Sequence, residues 1–159
     1  MTITVISNRL SYGDITTCRQ RLPGNPVVIH ACKEPCHRHA VGYSDKSLAA
    51  HHPAYLALEK PGHLYLNMID PPVPLFQIAS FHTLLEFTAC AGDRPIHIHC
   101  NQGQSRAPSL AILLMAKQMS LLPNTGYGAA RQAFESRYPY TPGKGIASFL
   151  ADNWNDIDL

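Results

Sequence analysis

The chain contains the stretch Ile96-His97-Ile98-His99-Cys100-Asn101-Gln102-Gly103-Gln104-Ser105-Arg106-Ala107-Pro108. Its first four residues alternate isoleucine with histidine, which predicts a strand over Ile96–His99. After the polar loop, residues 107–122 are apolar nearly all round, which predicts a helix buried in the middle of the fold. Pro108 fits the first turn of that helix, because an N–H group there would have no helical partner. A strand, a tight loop and a helix start are therefore predicted in direct succession.

The predicted loop has the residue types of an anion-binding site. Backbone N–H groups in such a loop point inward, and the positive end of the following helix adds to their field. Cys100 stands where that field favours the thiolate, the reactive form of cysteine. Arg106 offers a planar fork for two phosphate oxygens, and Gly103 lets the backbone close on an anion. The residues expected to bind phosphate are Asn101, Gln102, Gly103, Gln104, Ser105 and Arg106.

Outside this stretch, short apolar runs alternate with longer helical patterns. Further strands are predicted over Ile3–Ser7, Val27–Ala31 and 64–69. Further helices are predicted over 75–90, over 127–137 and from 142 toward 154. This order predicts an α/β fold with a central, mostly parallel, twisted sheet of four to five strands flanked by helices. We expect a single domain over residues 1–159, with an irregular insertion around 32–61 that carries a short helix near 55–59.

The composition is that of a compact globular domain. Of the 159 residues, 45% are apolar and 15% are charged, which allows a buried core and excludes a charge-driven disordered chain. The net charge of +2 is too balanced for a nucleic-acid-binding surface, and no apolar run is long enough to span a membrane. The five cysteines form an odd set without an export signal, so we expect reduced thiols and a cytoplasmic protein.

The order His99-Cys100, five residues and Arg106 resembles the signature of the cysteine-dependent protein tyrosine phosphatases. Gly103 at the third loop position and the short chain look like the dual-specificity branch of that superfamily. The resemblance implies that Cys100 attacks phosphorus to form a phosphocysteine, and that His99 braces the loop by hydrogen bonds to the backbone. It also implies an aspartic acid that protonates the leaving oxygen from a loop upstream, where this chain has Asp70.

The activity implied by the resemblance is phosphomonoester hydrolysis that needs no cofactor. The positions between Cys100 and Arg106 carry no charge, which favours a phosphorylated protein or a small phosphomonoester over a highly anionic lipid. We expect phosphate, sulfate or vanadate to bind in the loop. The family usually has Ser or Thr after the arginine, whose hydroxyl stabilises the departing thiolate, but this chain has Ala107. The alternative is therefore a pseudophosphatase that binds phosphate and turns it over slowly or not at all.

A second group of potential ligands lies in the segment from His30 to His39. Cys32 and Cys36 have a spacing that zinc sites use, and His37 or His39 offers a further ligand. No second Cys/His pair stands at the spacing of a structural zinc site, and the first residues of the segment extend a predicted strand. We therefore interpret the segment as a loop at the rim of the site and predict no metal.

Overall fold

A six-stranded sheet forms the centre of the protein, for which a computed structural model describes residues 3–159. The strands are β1 (Ile3–Ser7), β2 (Leu10–Gly13), β3 (Val27–Ala31), β4 (Ala57–Lys60), β5 (His63–Leu66) and β6 (Ile96–His99). Their spatial order is β1-β2-β6-β3-β5-β4, and the four central strands run parallel to one another. The edge strands β1 and β4 pair antiparallel with β2 and β5. The predicted α/β fold with a mostly parallel sheet is confirmed, with six strands where four to five were expected.

Five helices accompany the sheet. They are α1 (Arg38–Val41), α2 (Ile78–Cys90), α3 (Arg106–Lys117), α4 (Tyr127–Glu135) and α5 (Lys144–Asn153). Two 3-10 helices, Ile15–Arg19 and Trp154–Asp156, and a helical turn over Lys33–His37 complete the elements. In the part of the chain that the structure describes, no helix is both long and apolar enough to cross a membrane.

The predicted helix near 55–59 is wrong, because this segment contains β4. The residues Ala57-Leu58-Glu59-Lys60 have little intrinsic preference for strands. They become a strand because Pro61 and Gly62 form a tight turn that pairs them with β5, with Gly62 at a φ of +78°. The segment 32–61 is thus less irregular than expected, since it also contains α1.

Two of the predicted helix boundaries also differ. Helix α2 begins at Ile78 rather than at 75, because Pro71, Pro72 and Pro74 hold the preceding segment away from helical geometry. Helix α3 ends at Lys117 rather than at 122, and Ser120 beyond it has a positive φ of 54°.

The two faces of the sheet have opposite chemistry. Ile29, Leu64 and Ile98 point to one face, where they are fully buried in a core that includes α2 and α3. The residues that alternate with them line the other face and include four of the nine histidines: His30, His63, His97 and His99.

Hydrogen bonds from this histidine-rich face reach the first 3-10 helix, where Thr17 Oγ1 lies 2.8 Å from His97 Nε2. Burial lowers the pKa of His97 to about 4, so its ring is neutral at physiological pH.

Gly145 lets the segment after residue 70 dock on the start of α5. A Cβ atom at Gly145 would collide with the carbonyl groups of Pro71 and Val73, whereas a Cβ atom at Gly128 on α4 would meet nothing within 4 Å. Both glycines are helical, so replacing either with alanine increases helix propensity by the same amount.

We therefore predict opposite effects from Gly145→Ala and Gly128→Ala in urea unfolding. Gly128→Ala should raise the free energy of unfolding by about 0.5–1 kcal/mol, through backbone entropy alone. Gly145→Ala should lower it by about 1–3 kcal/mol, because the new methyl group forces the docked segment away. Equal stabilisation by both substitutions would show that the two segments do not make this close approach.

Candidate active site

Cys100 lies directly after β6, at the carboxyl end of the central strands. Its side chain is 2% exposed, and its Sγ atom accepts hydrogen bonds from two backbone N–H groups. These donors are Gly103 N at 3.2 Å and Ala107 N at 3.3 Å. Backbone donors and the adjacent start of α3 stabilise negative charge at the sulfur. The backbone N–H groups of the loop therefore point at the Cys100 sulfur, as they would point at a bound anion.

The loop is held in place by backbone contacts with the end of β2. Cys100 N donates to Gly13 O at 3.3 Å, and Ile15 N donates to Asn101 O at 3.1 Å. Gly103 has a φ of +72°, and a Cβ atom there would lie 2.9 Å from the backbone carbon of Gly13. Only glycine combines this backbone conformation with such a close approach. Gly103 thus lets the loop lie against the end of β2.

Arg106 begins α3, and its guanidinium group is buried beneath the loop. Its Nη1 atom donates to Ala31 O at 3.0 Å and to Met68 O at 2.8 Å, and Nη2 donates to Asn101 Oδ1 at 2.7 Å. Among the residues 3–159, Arg106 Nε is the one buried side-chain nitrogen or oxygen without a hydrogen-bond partner. A buried donor on a cation is costly to leave unpaired, so this N–H group fits a bound anion.

Asp70 is exposed and lies at the edge of the same loop. Gly143 lies between Asp70 and the loop. Its N–H group donates to Ser105 Oγ at 2.8 Å, and a Cβ atom at Gly143 would collide with the Asp70 carboxylate. The neighbouring Thr141 N donates to Gln104 O at 3.0 Å. Asp70 and Ser105 therefore both lie against Gly143. Sequence reasoning missed the segment 141–143 as a wall of the site, although the Pro142-Gly143 turn was visible.

Ala107 stands where a Ser or Thr hydroxyl would stabilise the departing thiolate, and Ser105 is the nearest hydroxyl in the sequence of the loop. Ala107 is fully buried, and its N–H group, not its side chain, contacts Cys100 Sγ. Ser105 accepts the Gly143 N–H group with its hydroxyl oxygen, which directs that side chain toward Gly143. Within residues 3–159, no side-chain hydroxyl donates to Cys100 Sγ. The remaining loop residues Gln102 and Gln104 are exposed and uncharged.

His99 contacts the loop backbone only at a long distance. It is fully buried, and its Nδ1 atom lies 3.4 Å from Cys100 O, a long distance for a hydrogen bond to the loop backbone. Its Nε2 atom lies 2.7 Å from Nδ1 of His30 on the neighbouring strand. His99 is therefore linked mainly to β3 and only weakly to the loop.

The zinc cluster considered from the sequence is not brought together. Cys32 Sγ donates to Glu34 O at 2.8 Å, and His37 Nε2 donates to Ala54 O at 2.8 Å. From this segment, His30 and Cys36 lie beside Cys18 and His99 instead. Arg38 in the same segment forms an ion pair with Glu34.

Comparisons with known proteins identify the fold that carries this site. Neither a protein-family model nor a curated protein sequence matches the chain. Several solved structures match nearly all of it, among them DUSP15, with a TM-score of 0.63, 16% identity and coverage of 96% of this chain and 86% of that one. The chain has the fold of the dual-specificity tyrosine phosphatases.

Two further structures support this fold assignment. The human tyrosine phosphatase-like serine/threonine/tyrosine-interacting protein matches with a TM-score of 0.63 and 17% identity, over 97% of this chain and 96% of its own. PTPMT1 matches with a TM-score of 0.60 and 17% identity, over 98% and 96%. The resemblance to the dual-specificity phosphatases that the residues around Cys100 suggested is thus confirmed for the fold.

We predict that Arg106→Lys weakens binding of phosphate and vanadate by about ten- to a hundredfold. A lysine keeps the charge but loses the planar fork and the Nε donor, and a hydrogen bond to a charged group contributes roughly 1.5–3 kcal/mol. Isothermal titration calorimetry measures the affinity directly. The matched control is Arg94→Lys, because Arg94 is an exposed arginine that donates to Asn25 O. Equal affinity in both variants would remove Arg106 from the anion site.

Proposed function

We propose that the protein is a cofactor-independent phosphomonoester hydrolase that works through a phosphocysteine on Cys100. The observation that carries this proposal is the pair of backbone N–H groups on Cys100 Sγ beside the unpaired Nε of buried Arg106. This arrangement offers a nucleophile and an oxyanion-binding group on one loop. The dual-specificity phosphatase fold supports the same reaction class.

In the proposed first step, the Cys100 thiolate attacks phosphorus, so that a P–S bond forms while the P–O bond to the leaving group breaks. Asp70 gives its proton to the departing oxygen. In the second step, a water molecule attacks phosphorus, gives a proton to the Asp70 carboxylate, and expels the thiolate with inorganic phosphate. The loop N–H groups and Arg106 hold the non-bridging oxygens in both steps.

The proposed substrate is a phosphorylated protein or a small phosphomonoester. Gln102 and Gln104 are the exposed residues of the loop, and neither carries a charge for additional phosphates. Two basic residues of the segment 30–39 are engaged in the fold, since Arg38 pairs with Glu34 and Lys33 Nζ donates to Lys46 O. A single phosphoryl group therefore fits this loop better than a highly anionic ring.

A second candidate function is a phosphate-binding module with little turnover. It is favoured by Ala107, which leaves the Cys100 thiolate without a hydroxyl donor when it must depart from phosphorus. The thiolate is then a poorer leaving group, and the phosphocysteine would accumulate.

The first test of the proposal is Cys100→Ser. This variant should lose hydrolysis of 4-nitrophenyl phosphate and keep affinity for phosphate, because a serine hydroxyl stays protonated where a thiol ionises. Cys90→Ser is the matched control, since Cys90 is an exposed thiol at the end of α2. If Cys100→Ser keeps full activity, the phosphocysteine mechanism is wrong. If wild-type protein binds phosphate without hydrolysis, the second candidate function is correct.

For Asp70→Asn we expect a kcat loss that depends on the leaving group. With phenyl or alkyl phosphates the loss should be about two to four powers of ten, because the amide cannot supply a proton. With leaving groups of low pKa the loss should nearly vanish. Asp93→Asn is the control, since Asp93 lies before β6, at the opposite end of that strand from Cys100. A loss of the same size for every leaving group would contradict the acid role.

We predict that Ala107→Ser speeds turnover. A hydrogen bond to the departing thiolate contributes roughly 1.5–3 kcal/mol, which corresponds to about a ten- to hundredfold rate effect. Rapid mixing of wild-type protein with 4-nitrophenyl phosphate should therefore give a product burst near one equivalent, and the burst should shrink in Ala107→Ser. Ala111→Ser, one turn further along α3 and equally buried, controls for the buried hydroxyl. Absence of a burst in wild type, together with an unchanged kcat in Ala107→Ser, would show that the missing hydroxyl does not limit the rate.

A further inference from the structure

Four metal-ligand side chains from four separate elements meet beside β6. They are Cys18 on the first 3-10 helix, His30 on β3, Cys36 in the turn after β3, and His99 at the end of β6. One ligand atom from each lies within 4.8 Å of all the others. His30, Cys36 and His99 are buried, and Cys18 is partly buried. We call this set the Cys18/His99 cluster.

The spacings in the cluster resemble the edges of a zinc tetrahedron. With Zn–S bonds near 2.3 Å and Zn–N bonds near 2.0–2.1 Å, a tetrahedron has S···S edges of about 3.8 Å and S···N edges of about 3.5 Å. The Cys18 and Cys36 sulfurs lie 3.9 Å apart. Cys18 Sγ lies 3.5 Å from His30 Nδ1, and Cys36 Sγ lies 3.8 Å from His99 Nε2. Three edges therefore already match.

The fourth measured edge is shorter. His30 Nδ1 and His99 Nε2 are 2.7 Å apart, which is a hydrogen-bond distance, whereas zinc would hold two ligand nitrogens about 3.3 Å apart. An ion would replace the proton between these atoms and separate them by roughly 0.6 Å. The two strands that carry the rings are paired in register at these positions, so only a small rotation of the side chains is needed.

The other nitrogen of each histidine faces a polar atom, closely for His30 and at a longer distance for His99, which suits metal-bound histidines. His30 Nε2 lies 3.0 Å from His63 Nδ1, and His99 Nδ1 lies 3.4 Å from Cys100 O. The His30 ring also stacks on Tyr65 with a centroid distance of 4.3 Å. Partners of this kind set the tautomer and orientation of a ligating ring.

We propose that the Cys18/His99 cluster is a structural zinc site of the Cys2His2 type. Two thiolates balance the charge of Zn²⁺, two neutral imidazoles complete four ligands, and mixed sulfur and nitrogen donors in a tetrahedron favour zinc. Four protein ligands leave no position for water or substrate, so the ion would stabilise the fold and not react. A cavity of about 690 Å³, lined by Cys18, His30 and Cys36, gives the ion a path from solvent.

The proposed ion would also position the phosphate-binding loop. His99 directly precedes Cys100, and the loop residue Asn101 contacts the two other segments of the cluster. Asn101 O accepts from Ile15 N on the first 3-10 helix, and Asn101 Nδ2 donates to Glu34 O in the turn that carries Cys36. Zinc would fix the first 3-10 helix and the turn with Cys36 relative to β3 and β6. Through the Asn101 contacts it would also fix the loop.

The test is the zinc content of the untagged full chain. After dialysis against Zn²⁺ and then against metal-free buffer, plasma mass spectrometry should find one zinc per chain. Cys18→Ser with Cys36→Ser should lower the content to the buffer background. Cys32→Ser, which removes a buried thiol outside the cluster, and Cys90→Ser, which removes an exposed one, should retain the ion. Absence of zinc from wild-type protein would overturn the proposal.

Two further measurements distinguish the zinc site from metal binding at Cys100 and from a disulfide. Cys100→Ser should keep its zinc, and loss of the ion from this variant alone would place it on the reactive thiol. A Cys18–Cys36 disulfide in the mass spectrum of freshly prepared protein would overturn the proposal in favour of a redox pair.

Because the double variant could fail to fold, Co²⁺ bound to wild-type protein provides a further readout. Its visible spectrum should show thiolate-to-cobalt charge-transfer bands and the d–d bands of a tetrahedral site. Zinc binding without hydrolysis would leave this proposal standing and reject the proposed function.

Discussion

The buried guanidinium group of Arg106 joins the carboxyl ends of three neighbouring strands. It donates to the carbonyl of Ala31 at the end of β3, to that of Met68 beyond β5, and to the side chain of Asn101 after β6. Each hydrogen bond from a cation contributes roughly 1.5–3 kcal/mol, so these contacts hold the strand ends and the loop as one unit. The Nε donor is left over, and the proposed anion site depends on it.

Both proposed sites lie at the carboxyl edge of the sheet, where β6 ends with His99 and is followed by Cys100. The apolar face, which includes Ile29, Leu64 and Ile98, belongs to the core with α2 and α3 and gives the edge a rigid base. The opposite face presents His30 and His99 to short, polar segments of chain. A polar face can be buried only if its groups are paired, which the His–His, His–Thr and His–Cys contacts achieve. The proposed zinc site would complete that pairing.

The two proposed sites share one strand but use it differently. Cys100 leaves β6 toward α3 and receives backbone N–H groups, whereas His99 points to the histidine-rich face. Adjacent residues of a strand point to opposite sides. The end of β6 can therefore contribute His99 to the proposed zinc site and lead into the proposed reactive loop. The proposed catalysis needs preorganised donors in the loop, and both Arg106 and the proposed zinc site would restrict the motion of the loop.

Local patterns were sufficient for β6, for the loop after it and for the start of α3, because each is specified by neighbouring residues: the alternation in β6, Gly103 in the loop and the apolar run of α3. The same local reasoning missed β4, whose residues favour a strand only through pairing with β5. It also could not assemble Cys18, His30, Cys36 and His99, since no short spacing unites residues from four elements. The parallel register of β3 and β6 places His30 beside His99, and the docking of 15–19 and 33–37 brings the two sulfurs. Long-range pairing and packing decide such contacts, and they are absent from any single segment of the chain.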